Sequence, residues 1–262
     1  MVTALDFFAI ENPRNETDNR QGRLIPLEPS DLYYMCIKDQ FDRHWEHVGR
    51  MRPRVRAIYK VLYLQSELQP FLDYKADVAA VRNGLVVRSL FHGTTRACRL
   101  GEGSHNLVFC ELSDCSLCSI IRNSFDVAMC GEKFCLQLTP SNRFGVGIYT
   151  TPCSSKADDY VKNLSPDAKW RVSLLSRVVV GKPKKFRHNR TTLTEPPHGF
   201  DSVWGVPGAD LNYEETVVYD NNAIRPAYLV VYGDADLELD FGPKVPATSI
   251  EIIRRIFASA FV

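Results

Sequence analysis

No stretch of the 262 residues stays apolar for the roughly 18 positions that a membrane-spanning helix needs. The basic-then-apolar pattern of a secretory signal is missing too, because Met1 to Ile10 is short and Asp6 interrupts it. Neither sign of charge dominates: 32 Lys and Arg face 31 Asp and Glu, for a net charge of +1. That balance gives no indication of a nucleic-acid partner. It leaves the basic run Lys182, Lys184, Lys185, Arg187 and Arg190 as a solvated loop. There is no internal repeat and no low-complexity tract. Gly145 and Gly147 do not make a dinucleotide-binding fingerprint, since no third glycine and no helix start follow in register. These absences lead to the expectation of a soluble chain in the cytoplasm or nucleus, where thiols stay reduced.

What is present has the texture of an α+β domain. Residues 11–29 are largely polar and hold Pro13, Pro26 and Pro29, which marks a flexible lead-in. A helix is expected from the cap candidate Ser30, with Tyr34, Phe41, Trp45 and Val48 forming one apolar stripe. Val55, Ala57, Tyr59, Val61 and Tyr63 share a period-2 face, with Arg56 and Lys60 opposite, as in a half-buried strand. Ser66, Glu67 and Pro70 open a second helix towards Val81. Short apolar runs at 85–91, 172–180, 216–219 and 228–232 then read as strands of a mixed sheet. A last amphipathic helix is expected after Thr248. The expected division is an N-terminal extension over 1–53 and one catalytic-sized domain over 54–262, with a cysteine-bearing loop inserted at 98–118.

Four dispersed segments carry a family resemblance. Leu90-Phe91-His92-Gly93-Thr94 comes first, followed by Arg143-Phe144-Gly145-Val146-Gly147-Ile148-Tyr149. Then come Ser154-Ser155-Lys156-Ala157-Asp158-Asp159-Tyr160 and Asn212-Tyr213-Glu214-Glu215-Thr216-Val217-Val218-Tyr219. In this order they resemble the histidine-glycine strand, the Gly-x-Gly-Ile-Tyr strand, the Ser-Lys-Ser helix and the glutamate strand of poly(ADP-ribose) polymerase catalytic domains. The resemblance spans roughly residues 54–232. It implies an ADP-ribosyltransferase-like fold, with split, mostly antiparallel sheets flanked by helices, and NAD as substrate.

The chemistry requires these residue types. The nicotinamide–ribose bond of NAD must ionise towards an oxocarbenium-like state, as in glycoside cleavage. By resemblance His92 anchors the adenosine-side ribose, and Gly93, without a side chain, brings its backbone to the nicotinamide amide. Tyr149 and Tyr160 would stack on the nicotinamide ring. Glu215 would stabilise positive charge developing on the ribose; its neighbour Glu214 is the rival for that role. Where many relatives place a second serine, this chain has Ala157, so Ser154 or Ser155 is left to hold the amide, with Ser155 the expected contact.

Four of the eight cysteines, Cys98, Cys110, Cys115 and Cys118, fall in one short stretch. Cys115 and Cys118 have the two-residue spacing with which two thiolates grip one tetrahedral ion. The expectation is a structural zinc site on all four, with His105 as a competing ligand. Zinc-containing members of the family, the tankyrases, place their ligands later in the domain, so no metal residue is carried over from them. Cys36, Cys130, Cys135 and Cys153 read as packing residues. The functional expectation is transfer of ADP-ribose from NAD to an acceptor, with mono-ADP-ribosylation of a protein favoured. NAD glycohydrolysis and an inactive zinc-stabilised interaction module are the alternatives.

Overall fold

The β-branched and aromatic residues at 54–61 form a strand in the computed structural model, which describes residues 23–82, 87–103, 105–130 and 142–234. This strand, β2 (Arg54–Val61), pairs with β1 (Leu24–Pro26), so part of the expected flexible lead-in is ordered against the sheet. Period-2 alternation implied one buried face, yet Ile58, on the other face, has no exposed surface. Tyr59 and Val61 pack on one side of the sheet while Val55 and Ile58 pack on the other. A strand covered on both faces loses its polar stripe, which is why the alternation is imperfect.

Five antiparallel strands make this sheet, in the order β1, β2, β11 (Ile224–Gly233), β7 (Arg171–Val179) and β3 (Val87–Gly93). On one face lies α1 (Leu32–Arg43), which buries Tyr34, Ile37 and Phe41. The other face is covered by α2 (Gln65–Arg82) and α3 (Ser116–Asn123), through Leu68, Phe71, Val78, Leu117 and Ile121. The α1 cap is Asp31 rather than Ser30, its carboxylate accepting the Tyr33 N–H at 2.7 Å. The helix ends at Arg43, so Trp45 and Val48 are not part of its stripe, and Val48 is fully exposed.

A second sheet runs β5 (Ile148–Thr150), β10 (Glu215–Val218), β9 (Ser202–Gly205) and β8 (Pro183–Phe186), around Phe144, Val203, Leu211 and Val217. All its pairings are antiparallel except β8 with β9. A two-residue parallel pair joins β4 (Thr95–Arg96) to β6 (Lys162–Asn163). The two larger sheets meet where Phe91 and Thr151 exchange backbone hydrogen bonds of 2.7 and 3.0 Å. The architecture is α+β with split sheets, and the seam between them sets the candidate site. No helix among the described residues is long and apolar enough to cross a membrane. The helix expected after Thr248 and the lead-in before Arg23 lie outside the described residues.

Candidate active site

One residue beyond the bridge that joins the sheets, His92 reaches across the seam. Its Nδ1 donates to the Tyr149 carbonyl at 2.9 Å. A carbonyl only accepts, so Nδ1 carries the proton and Nε2 presents a lone pair. Burial holds the imidazole below its ordinary pKa, against the opposing pull of the Tyr149 carbonyl, so the neutral form is favoured. Phe125 packs edge-on against the ring at 4.9 Å.

Next to it, Gly93 is fixed by space. A Cβ there would lie 1.8 Å from the Ala157 carbonyl oxygen and 3.1 Å from the Tyr160 Cβ. Only glycine lets β3 approach α4 (Ser154–Asp158) this closely. Gly145 has a comparable constraint, with φ of +73° and the Leu193 carbonyl 1.7 Å from where a Cβ would sit. This tight loop orients Tyr149, whose hydroxyl donates to the Gly145 carbonyl at 2.9 Å and accepts the Phe144 N–H at 2.8 Å. Burial above all pushes the Tyr149 phenol well above its usual range.

Glu215 begins β10 and pairs with Gly205, while Val217 in the same strand pairs with Tyr149. Only 5% of the residue is exposed. Its Oε1 lies 3.3 Å from the Lys156 Nζ, and its Oε2 is buried with no hydrogen-bond partner among the described residues. An unpartnered buried carboxylate oxygen is costly and calls for an explanation. Lys156 also donates to the Tyr160 hydroxyl at 3.2 Å. Burial pushes the Lys156 ammonium down, but Tyr160 and Glu215 more than offset it and its pKa ends above the usual value. Glu214 points elsewhere: it pairs with Arg88 at 2.7 Å, and Arg88 lies over the Trp204 ring. A hollow of about 150 Å³ on that side, lined by Arg88, Val180, Pro183, Trp204 and Thr216, includes none of His92, Tyr149 and Glu215.

Thus β3 and β5 bring His92 and Tyr149 together, and α4 with the turn after it brings Lys156 to Glu215 and Tyr160 to Gly93. Ser155 is placed differently from the rest. It is wholly buried, and its hydroxyl accepts the Glu46 N–H at 2.9 Å and lies 3.2 Å from the Cys153 sulfur. The Ser154 N–H bonds the His44 carbonyl, and its hydroxyl bonds the Phe41 carbonyl. His47 completes the connection with 2.9 Å contacts to Asp159 and to the Tyr213 hydroxyl. The end of α1 and the chain after it thus take up one free N–H of α4, that of Ser154, and its two serine hydroxyls. The sequence motifs assign no site role to this segment, to Lys156 or to Phe125. The four-residue spacing of Lys156 and Tyr160 was the available signal.

Beyond β4, the ligand atoms of Cys98, Cys110, Cys115 and Cys118 all lie within 4.8 Å of one another. Exposed His105 is not part of this group.

No protein-family model matches the chain. Over 130 residues, 47% of the chain, it is 30% identical to protein mono-ADP-ribosyltransferase PARP4 of Homo sapiens. Over 217 residues, 79% of the chain, it is 25% identical to protein mono-ADP-ribosyltransferase PARP4 of Mus musculus. The matched stretches make up only 7% and 10% of the relatives' own lengths. At this level of identity, the similarity indicates a distant relationship to the poly(ADP-ribose) polymerase family.

Proposed function

We propose that this chain cleaves NAD at the nicotinamide–ribose bond and transfers ADP-ribose to a protein acceptor, one unit at a time. The observation that carries this reading is the Glu215 carboxylate, buried, braced by Lys156 and left with one oxygen unpartnered beside the His92–Tyr149 seam. The names of the relatives agree with it, as both are mono-ADP-ribosyltransferases.

In this reading the neutral His92 accepts a hydrogen bond from a ribose hydroxyl on the adenosine side through Nε2. The Gly93 backbone bonds the nicotinamide amide, and Tyr149 and Tyr160 stack on its ring. Ser155 serves the pocket by holding α4 against Glu46, its hydroxyl being engaged there. Ala157 offers the amide no hydroxyl, a loss on the order of 1 kcal/mol of binding. As the C–N bond breaks, its electron pair leaves with nicotinamide and positive charge grows on the ribose. The free oxygen of Glu215 is the preorganised charge that stabilises this state. An acceptor nucleophile then attacks the ribose carbon and gives up its proton, for which the same carboxylate is the available base.

Incubating the protein with NAD and a cell lysate, followed by mass spectrometry, tests the reading. Single ADP-ribose units on protein side chains are expected. Free ADP-ribose alone would make the chain a glycohydrolase, and unchanged NAD would make it an inactive interaction module.

A further inference from the structure

We propose that Cys98, Cys110, Cys115 and Cys118 bind one structural zinc ion, and that this ion clamps α3 to the segment just after β4. The four sulfurs come from three local structures. Cys98 follows β4, Cys110 lies in the loop, Cys115 is the N-cap of α3 and Cys118 lies in its first turn. Yet they converge on one point, whereas the other described cysteines, Cys36, Cys130 and Cys153, are not part of the group.

The spacing matches a metal better than a disulfide. Zinc–sulfur bonds of about 2.3 Å at tetrahedral angles place neighbouring sulfurs about 3.8 Å apart. Here Cys98 lies 3.8 Å from Cys115 and 3.6 Å from Cys118. A disulfide requires about 2.05 Å, and these cysteines are free. Packing alone accounts for the burial of Cys115 and Cys118 among Leu117 and Ile121, but not for four sulfurs facing one another.

The helix end suits thiolates. Cys115 caps α3 without a side-chain hydrogen bond to the helix, leaving its sulfur for another partner. The unpaired N–H groups of the first turn favour negative charge there. On the loop side, Arg122 Nη2 holds the Cys110 carbonyl at 2.9 Å. Four protein ligands leave no coordination position for water, so the ion is structural rather than catalytic.

The position of the cluster gives the clamp its consequence. Cys98 lies a few residues past Gly93, and Phe125 lies just beyond α3, packed edge-on against His92 at 4.9 Å. Joining Cys98 to Cys115 and Cys118 thus fixes the end of α3 that carries Phe125 against the His92 ring. Only this consequence bears on the proposed transfer; the ion's binding is independent of it.

Metal analysis of the purified full chain should find close to one zinc per molecule. The cobalt-substituted protein should show the strong sulfur-to-metal absorption of a four-thiolate tetrahedral site. Cys110→Ser and Cys118→Ser should lose the metal, whereas Cys130→Ser and His105→Ala should keep it. Stripping zinc from the wild type with a chelator should lower its melting temperature and shift the NMR signals of the His92 ring, with those of His188 unmoved. A metal-free protein of unchanged stability overturns the site, as does bound iron in place of zinc or retention of metal in both serine variants. Chelation that leaves the His92 signals in place overturns the clamp. Zinc without NAD turnover would support the site while defeating the transferase reading, and NAD turnover by a metal-free chain would do the reverse.

Discussion

At the seam between the sheets Glu215 keeps one carboxylate oxygen without a partner, while beyond β4 four sulfurs lie within 4.8 Å of one another. Both regions bury groups that water would otherwise stabilise, and they resolve that cost in different ways. The thiol cluster can be completed by a single cation and then has no valence left over. In the proposed reading the seam stays incomplete: the Glu215 oxygen and the His92 Nε2 are left for NAD. A closed site contributes to folding, whereas an open one costs stability that binding and chemistry recover.

The sharpest way to break this contrast is to remove the open charge. Glu215→Gln should lower kcat for nicotinamide release by about 10²–10³-fold while the protein stays folded, a loss typical of removing one preorganised stabilising group. Glu214→Gln should cost far less, because that carboxylate is occupied by Arg88. Reversed effects in steady-state kinetics would put the wrong carboxylate at the seam.

Gly93→Ala comes next. A methyl group 1.8 Å from the Ala157 oxygen forces β3 and α4 apart. A loss of about 1–3 kcal/mol in stability is expected from the overlap, together with a marked fall in NAD affinity. Denaturant melts and NAD titration measure the two, and a variant normal in both would remove the close approach from the account.

How far these positions were readable in the sequence depends on whether the reason for each residue is local. His92-Gly93, Gly145 to Tyr149 and the cysteine spacing are contiguous patterns set by backbone approach or ligand reach, and they stand out in one dimension. The helix caps and strand runs were legible for the same reason, to within a few residues. The segment at 44–47 was not. Its pairing with α4 spans more than a hundred residues, and the helical stripe through Trp45 concealed the break at His44. The bond from the Glu46 N–H to the Ser155 hydroxyl was likewise not legible, for the same reason of distance along the chain. Period-2 reasoning also overlooked Ile58, because α1 covers a face that alternation assigned to solvent.

A smaller effect sharpens that point. Ser155→Ala leaves the Glu46 N–H without its acceptor and should cost about 0.5–1.5 kcal/mol in stability. KM for NAD should change only modestly. A large KM effect without destabilisation would return the hydroxyl to the ligand.

The smallest expected effect is the pH dependence of His92. Its folded pKa lies below the ordinary value of about 6.5, chiefly because of burial. The unfolded chain therefore binds more protons in the window below that value. Stability should be fully present above about pH 6.5 and should decline as pH falls through the depressed folded pKa. His92→Gln should flatten this part of the stability profile in denaturant melts, and an unchanged slope would mean that the imidazole is not held neutral.

The central claim is that the seam breaks the nicotinamide–ribose bond and passes ADP-ribose on. Its most direct test is a product balance on the wild-type protein given NAD labelled in both nicotinamide and adenosine. The account predicts one nicotinamide released for each ADP-ribose found on protein, with little free ADP-ribose. Intact NAD after prolonged incubation would contradict it.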